Sequence, residues 1–336
     1  MPEGRLVAIV VTHDRPAPLR ETLTRLLAQP IGGVVVVDNA SGMETAQTLA
    51  TFSDPRLSVV RLPQNKGGSG GFEAGMAFAM AHTGADWLVL MDDDARPAPG
   101  AIEGFLHRYA AQVTTAPLAI AAAVFSPDGP VAEMNRPSRN PFWYPRVLLQ
   151  SLRHAICGSG RQGFHLPDAD FQPDAPVQKI DVASFVGFFV NRSAVRLAGL
   201  PEGGLFLYGD DVLYSLCLRK LGVPILFDPG LRFEHACETL GPGLITRPLW
   251  KVYYLCRNGV SVAAQAAGPW LFPLALAWFV ALWLRKTRAY PAADRPAYLR
   301  MVRAGLWDGL RQKRGRKESI HQTLARSGTE LKGISA

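Results

Sequence analysis

Cysteine is scarce in this chain of 336 residues. Its four cysteines, at positions 157, 217, 237 and 256, lie far apart and form no C-x-x-C pair. Structural zinc sites and thioredoxin-like redox sites need such pairs, and small secreted domains need a dense disulfide framework. The pattern therefore favours reduced thiols in a cytosolic protein.

Two widespread signatures are missing. The first residues, M-P-E-G-R-L-V-A-I-V-V, hold only a short apolar run before polar T-H-D-R, so we expect no secretory signal peptide. The glycine-rich stretch at 64–72, Q-N-K-G-G-S-G-G-F, ends in no Gly-Lys-Ser/Thr and lacks the Rossmann spacing. This stretch is therefore neither the phosphate-binding loop of a P-loop NTPase nor the glycine-rich turn of a Rossmann dinucleotide-binding enzyme.

The body of the chain has almost no excess of either charge. Residues 1–284 carry 23 Lys and Arg against 24 Asp and Glu, whereas 285–336 carry 13 against 4. A basic tail of this kind can bind nucleic acid or an anionic membrane surface. Because a nucleic-acid-binding protein would be expected to carry basic residues on its body too, we predict a membrane partner and no nucleic acid.

Strand-like and helix-like segments alternate along the first third of the sequence and return after residue 180. Continuous apolar or β-branched runs predict strands at 6–11, 34–37, 57–62, 87–91, 118–125 and 180–190. Apolar residues at helical spacing predict helices at 18–29, 71–82, 99–112 and 210–221. The alternation predicts an α/β fold with a mainly parallel sheet and flanking helices, in one large or two modest domains.

Polar clusters follow four of the predicted strands. They read T-H-D-R-P, D-N-A-S, Q-N-K-G-G-S-G-G and D-D-D in chain order. Ligands of open α/β sheets bind outside the carboxyl ends of the strands. We therefore expect one ligand site there.

Three consecutive carboxylates, Asp92, Asp93 and Asp94, end the apolar run V-L-M. Neighbouring like charges resist ionisation unless a cation neutralises them. Asp92 and Asp94 share one side of an extended chain, where they can bind Mg²⁺ or Mn²⁺ with positions left open for phosphate. The other interpretation is a solvated acidic loop that caps the helix near Pro99.

The clusters before the triple aspartate hold candidate nucleotide contacts. Thr12, Arg15 and Asp38 stand where a base and a ribose could bind, although turn and capping chemistry also explains each alone. The glycines of 64–72 open a helix and allow backbone N–H groups to approach an anion or a sugar.

Farther along, L-Y-G-D-D-V-L-Y places Asp210 and Asp211 at a predicted helix start. Acidic residues there stabilise a helix, but one of them could also act as a general base on a hydroxyl group. His235, in R-F-E-H-A, is a third candidate metal ligand, or a structural histidine.

An uncharged segment at 259–284 precedes the basic tail, and its part at 270–284 is strongly apolar. Gly268, Pro269 and Pro273 limit the helical part to about a dozen residues, short of the ~20 that span a bilayer. We predict a membrane-surface or re-entrant helix with tryptophan anchors and a basic flank, formed by Trp270, Trp278, Trp283, Arg285, Lys286 and Arg288. The alternative is a buried helix that packs on the domain or on a second copy.

Taken in order, these motifs together with K-V-Y-Y-L-C-R-N at 251–258 resemble the inverting family-2 glycosyltransferases of the GT-A fold. The resemblance covers about residues 6–258. Within that family, G-G-S-G-G-F followed by D-D-D-A is most similar to galactofuranosyltransferases, with rhamnosyltransferases as near relatives.

The resemblance implies a role for each matched residue. It makes Asp211 the general base. Donor contacts fall to Thr12, Arg15, Asp38, Asn65, Gly68 and Asp93, acceptor contacts to Tyr208 and Asp210, and metal binding to Asp92, Asp94 and His235. The family usually has Asn or Glu where this chain has Asp14, and often Trp within the segment that here reads Gly209-Asp210-Asp211.

The implied activity is metal-dependent transfer from UDP-galactofuranose, or alternatively dTDP-rhamnose, to a glycan or lipid-linked acceptor of the cell envelope. The cofactor would be Mn²⁺ or Mg²⁺, and the enzyme would lie on the cytoplasmic face of the membrane; self-association into a homo-oligomer stays open. We expect a donor-binding region at 1–125, an acceptor-binding and base-carrying region at 126–258, and a helical membrane-associating region at 259–336.

Two other classes are weighed against this one. A sugar-1-phosphate nucleotidyltransferase would need a glycine-rich loop with Arg and Lys where T-H-D-R-P stands. An inactive scaffold of a glycan assembly complex would have no need of the intact triple aspartate, Asp211 and His235.

Overall fold

A computed structural model describes residues 5–110, 115–156, 163–236, 240–241 and 245–321. Within these residues, nine strands form one sheet in the order β3-β2-β1-β4-β8-β6-β9-β5, and β7 also pairs with β9. The strands are β1 Leu6–Thr12, β2 Gly33–Asp38, β3 Leu57–Arg61, β4 Trp87–Asp92, β5 Ala95–Pro97, β6 Ala119–Phe125, β7 Gln178–Ile180, β8 Phe188–Asn191 and β9 Ile225–His235; β10 Leu240–Gly241 and β11 Ile245–Thr246 pair separately.

The first four strands are parallel, and helices cover both of their faces. Along β1, Val7, Ile9 and Val11 enter one hydrophobic cluster, while the alternate residues between them enter the other. A strand with two buried faces has no polar side, which explains the continuous apolar runs. The predicted mainly parallel α/β sheet is confirmed.

The prediction of one strand at 180–190 is wrong. The chain forms β7 and β8 there, separated by a loop that ends at Gly187 (φ 65°). β8 runs antiparallel between β4 and β6. The long strand β9 was not predicted because its centre reads D-P-G, which is typical of a turn. In the structure Asp228-Pro229-Gly230 forms an irregularity where the pairing register with β6 shifts.

The helices include the four that were predicted, at nearby positions, and others that were not predicted. They are α1 Pro16–Leu27, α2 Met43–Ala50, α3 Gly67–His82, α4 Ala101–Phe105, α5 Pro145–Ile156, α6 Arg192–Ala198, α7 Asp210–Lys220, α8 Trp250–Lys286 and α9 Arg295–Leu310. The predicted helix 99–112 is shorter than expected: α4 continues as a π-helical turn, Leu106–Ala110, and 111–112 lie outside the described residues.

Helix α8 is two antiparallel halves, 250–267 and 269–286, joined at Gly268 (φ 70°, ψ 175°). A Cβ atom on Gly259 would lie 2.7 Å from the Trp283 ring, although a straight helix would hold these residues about 36 Å apart. The second half is therefore longer than the predicted dozen residues. Pro269 begins it, at a position where its missing N–H interrupts no hydrogen bond.

Among the described residues, Trp250–Ala289 is the one helix that is long and apolar enough to cross a membrane. Its hairpin shape means that it does not do so as a single rod. The first half packs in a third hydrophobic cluster with α9 and Trp283, whereas Trp270 and Leu274 are 93% and 68% exposed. Trp283, predicted as a membrane anchor, is only 7% exposed and packs inside that cluster, so this part of the prediction is wrong, whereas Trp270 and Trp278 are exposed.

Candidate functional site

The carboxyl ends of the parallel strands gather the predicted polar residues at one edge of the sheet. Thr12 and Asp38 end β1 and β2 and lie opposite each other, while Asp92 ends β4 opposite Val11. The apolar strand cores fix this register. The polar clusters therefore meet because the strands beneath them are parallel and adjacent.

Asp92, Asp94 and His235 converge beside that edge. Each offers one ligand atom, and the three atoms lie within 4.8 Å of one another. The pairing of β5 with β9 places His235 opposite Ala95, directly after the triple aspartate, and His235 Nε2 lies 3.1 Å from Asp94 Oδ1. Two carboxylates and an imidazole are a donor set that Mn²⁺ and Mg²⁺ accept.

The buried side chain of Asn135 fixes the His235 ring. Its Oδ1 atom accepts a hydrogen bond from His235 Nδ1 at 2.7 Å, and its Nδ2 atom donates to Ser184 Oγ at 2.9 Å. Because an amide oxygen only accepts, Nδ1 carries a proton and Nε2 faces Asp94. This is the tautomer that a histidine ligand binding through Nε2 needs.

Thr12 and Arg15 both donate hydrogen bonds to Asp93. Thr12 Oγ1 donates to Asp93 Oδ2 at 2.7 Å, and Arg15 Nη1 donates to Asp93 Oδ1 at 2.9 Å and to Asp94 Oδ2 at 2.8 Å. The arginine thus places a positive charge beside the metal-ligand cluster. Thr12, Arg15 and Asp93 are already hydrogen-bonded, so a ligand that contacts any of them would compete with these bonds or add to them.

Burial and the Asp94 charge raise the pKa of Asp92 to about 7, and burial raises that of Asp93 to about 6. Burial also opposes ionisation of Asp94, but its hydrogen bond with His235 and the charges of His235 and Arg15 outweigh it, so its pKa lies below the ordinary value. The cluster holds negative charge that a cation would stabilise.

A cleft opens beside Asp38, lined by Ala40, Ser41, Arg61, Leu62 and Pro63. Asp38 is buried; it accepts from the Ser41 backbone N–H at 2.8 Å and lies 3.5 Å from Arg61 Nε. Arg61 lines the cleft and can donate to acceptor atoms of a base, whereas the Asp38 carboxylate beside it is buried.

Only some of the predicted donor contacts of the glycine-rich stretch face open space. Asn65 Oδ1 accepts from the Gly67 backbone N–H at 2.7 Å and so shapes the turn into α3. A Cβ on Gly71 would lie 2.4 Å from Val11, so this glycine lets α3 pack closely on the sheet. A Cβ on Gly68 would have no atom within 4 Å, so open space adjoins this residue.

Asp210 and Asp211 begin α7 after a tight turn in which Tyr208 (φ 67°) and Gly209 (φ 84°) adopt left-handed backbone angles. Burial, followed by the Asp210 charge, raises the pKa of Asp211 to about 7, and the charge of Asp92 adds to this shift. Burial raises the pKa of Asp210 to about 6. The charge of Asp92 in the metal-ligand cluster thus acts on Asp211.

Sequence reasoning missed two residues of this site. Arg61 stands at the end of β3, so the same strand-end pattern that identified Asp38 could have identified it. Asn135 lies in a Pro- and Gly-rich stretch and meets His235 from 100 positions away along the chain. Nothing in its local sequence indicates that contact.

Comparison with known proteins finds a matching family and a similar galactofuranosyltransferase. The family model described as Glycosyl transferase family 2 matches residues 7–160. Galactofuranosyltransferase GlfT1 of Mycolicibacterium smegmatis is 30% identical over 235 residues, which make up 69% of this chain and 71% of that protein.

Two solved structures share the fold. Residues 1–349 of S. aureus TarS align with a TM-score of 0.51 at 13% identity, over 88% of this chain and 78% of that one. The mannosyltransferase PcManGT from Pyrobaculum calidifontis, in complex with GDP-Man and Mn²⁺, aligns with a TM-score of 0.51 at 16% identity, over 91% and 84%. These likenesses are of fold, and they confirm the GT-A class expected from the sequence.

Proposed function

We propose a donor and a reaction for this chain, which is a glycosyltransferase that belongs to glycosyl transferase family 2. It transfers galactofuranose from UDP-galactofuranose with inversion. The acceptor is a glycan or lipid-linked glycan in cell-envelope polysaccharide synthesis. The observation that carries the proposal is the cluster of Asp92, Asp94 and His235 at the carboxyl ends of the parallel strands, whose Asp92 charge acts on Asp211. The similarity to galactofuranosyltransferase GlfT1 supports the choice of donor.

A divalent cation, Mn²⁺ or Mg²⁺, fits the cluster of Asp92, Asp94 and His235. Their ligand atoms are within reach of one ion, and Asn135 holds His235 in the required tautomer. Such an ion, when bound, neutralises diphosphate charge and makes the diphosphate a better leaving group. Arg15, which donates to Asp94, adds a second positive charge at this place.

Asp211 is the general base of the proposed reaction. It takes the proton of the acceptor hydroxyl as that oxygen attacks the anomeric carbon on the face opposite the diphosphate. A pKa of about 7 suits this task, because a large share of the carboxyl groups is ionised at neutral pH and the carboxylate is basic enough to accept a proton. Asp210 and Tyr208, on the turn before it, are proposed to contact the acceptor.

The donor nucleotide is proposed to occupy the strand-end side of the cleft. Asp38 would accept from a pyrimidine N3–H, and Thr12, Arg15, Asn65, Gly68 and Asp93 would line the ribose and diphosphate. In this scheme residues 1–125 bind the donor, and 126–258 bind the acceptor and supply the base. Residues 259–336, of which 322–336 lie outside the described part, associate with the membrane.

A nucleotide titration tests the choice of donor. We expect UDP with Mn²⁺ to raise the melting temperature, and dTDP or UDP alone to raise it little, because a ligand that binds only the folded state stabilises it. Transfer from UDP-galactofuranose should then be measured directly. A preference for dTDP would favour rhamnosyl transfer instead, and no shift with either nucleotide would favour an inactive scaffold.

The second half of α8 is proposed to dock the enzyme on the cytoplasmic face of an anionic membrane. Its outward side forms an apolar stripe, defined as Trp270, Leu274, Trp278 and Leu282, which are 93%, 68%, 40% and 42% exposed. Basic residues Arg285, Lys286 and Arg288 follow the stripe directly. Exposed tryptophan and leucine with a basic flank are typical of interfacial helices.

Flotation with vesicles tests this docking. We expect the protein to float with phosphatidylglycerol-containing vesicles, and the Trp270→Ser/Leu274→Ser variant to lose most of that binding, because both side chains lie outside the helical bundle. The matched control is Leu197→Ser/Leu221→Ser, which removes two exposed leucines (49% and 46%) elsewhere. Equal flotation of the stripe variant and wild type would contradict the proposal.

A further inference from the structure

The stretch K-V-Y-Y-L-C-R-N at 251–258 ends in two buried polar residues on the first half of α8. Asn258 is fully buried, and its Nδ2 atom donates to the backbone carbonyls of Leu205, Leu207 and Tyr208 at 3.0, 2.8 and 2.8 Å. An amide nitrogen carries two N–H bonds, so three acceptors share them. One side chain therefore holds three carbonyls of a single turn.

Arg257 supports Asn258 from the same helix. Its Nε donates to Asn258 Oδ1 at 3.0 Å, its Nη2 to Leu205 O at 2.6 Å, and its Nη1 to Gly315 O at 2.7 Å. The guanidinium is 1% exposed and lies over the rings of Tyr253 and Tyr254. A buried charge that contacts carbonyls and rings is costly to maintain, so its place at this turn needs a reason.

The turn at 205–209 does not hold its shape by local preference. Phe206, Tyr208 and Gly209 have φ angles of 65°, 67° and 84°, and the first two are large residues that rarely adopt such values. Strained backbone of this kind persists only where surrounding contacts enforce it. Asn258 and Arg257 supply those contacts, and Asp210 and Asp211 follow the turn immediately.

The same turn also contacts the donor side of the cleft. The Phe206 carbonyl accepts from the Ser69 backbone N–H at 3.3 Å, and a Cβ on Gly67 would lie only 1.8 Å from that carbonyl oxygen. A side chain at position 67 would therefore collide with the turn where it contacts the start of α3. The turn connects the glycine-rich segment to the aspartates of α7.

We infer that Asn258, oriented by Arg257, is a positioning residue that fixes the turn at 205–209 and so sets where Asp211 stands relative to the donor. The inference rests on the proposed role of Asp211 as the base. Asn258 is directed at the turn and acts on the reaction only through Asp211. A displacement of a base by about 1 Å can lower turnover by about 10²-fold.

The test replaces Asn258 by leucine, which keeps most of the side-chain volume and removes both donors. We expect kcat to fall about 10–100-fold and the affinity for UDP with Mn²⁺ to stay within about threefold of wild type. We also expect faster amide hydrogen exchange in 205–212 by mass spectrometry. Asn258→Ser, which keeps one donor, should lie between leucine and wild type in both measurements and serves if the leucine variant does not fold.

The matched control is Asn140→Leu. Asn140 is 2% exposed and donates to a carbonyl of the same helix, Ala266, at 2.9 Å, but it does not contact the turn. Equal losses of kcat in the two leucine variants would overturn the inference, as would unchanged exchange at 205–212 in Asn258→Leu. Hydrogen exchange needs no donor sugar, so an inactive wild type would count against the proposed function alone.

Discussion

Asp211→Asn is expected to lower kcat by about 10²–10⁴-fold, the range that general-base assistance typically supplies. The affinity for UDP with Mn²⁺ should stay within a few-fold, because the amide keeps the shape of the carboxylate and the metal-ligand cluster is intact. Steady-state transfer and nucleotide titration measure the two quantities. An exposed carboxylate away from the cleft, replaced in Asp174→Asn, is the control. Unchanged turnover in Asp211→Asn would remove Asp211 from the mechanism.

The same substitution is expected to stabilise the metal-free protein above neutral pH. Burial and the Asp210 charge raise the pKa of Asp211 from its ordinary 3.8 to about 7. The folded state therefore binds this proton more tightly than the unfolded state does, and the resulting stability, fully present below about pH 3.8, is lost as pH rises from there through about 7. Asparagine carries no charge to gain. Melting temperatures should therefore differ least near pH 4 and increasingly favour Asp211→Asn up to pH 8; lower stability of the variant at pH 8 would contradict this account.

Much of the candidate site follows from sequence because parallel strands make local patterns meet in space. The runs that became β1, β2 and β4 are apolar on both faces, and β3 reads L-S-V-V-R with a β-branched centre, so each could be located without knowledge of its neighbours. Their carboxyl ends then had to share one edge of the sheet. Placing Thr12, Asp38 and Asp92 at one edge needed only that rule.

Other parts depend on contacts that no local pattern encodes. Strand β9 contains D-P-G, and its strand geometry comes from pairing with β6 on one side and with β7 and β5 on the other. Gly268 was correctly identified as a break in the helix. The antiparallel packing that follows depends on Trp283 meeting Gly259, which lies 24 positions earlier in the chain. Long-range packing decided both outcomes.

Asp94→Ala is expected to abolish most metal-dependent binding of UDP. Asp94 belongs to the three-residue cluster, and it also faces Arg15 and His235 at 2.8 and 3.1 Å. Loss of one carboxylate leaves two ligands and less negative charge for a hard cation. Calorimetry should show Mn²⁺ affinity reduced by at least about tenfold, a change at the lower end of what even outer-shell substitutions produce. Asp174→Asn, at an exposed carboxylate that is not part of the cluster, should keep Mn²⁺ affinity close to wild type.

The Arg15 guanidinium is the other possible source of positive charge for the diphosphate, and the same experiment distinguishes it from a metal ion. If the guanidinium alone neutralised the diphosphate, Asp94→Ala would free it from one of its two carboxylates, and UDP affinity would rise and stay independent of Mn²⁺. If a cation does so, UDP affinity in the variant falls to the value that wild type shows without metal. Arg15→Met completes the comparison, because the metal interpretation expects it to weaken UDP binding but keep the dependence on Mn²⁺. Undiminished, metal-independent binding by Asp94→Ala would therefore assign the charge to Arg15 and remove the triple aspartate from cation binding.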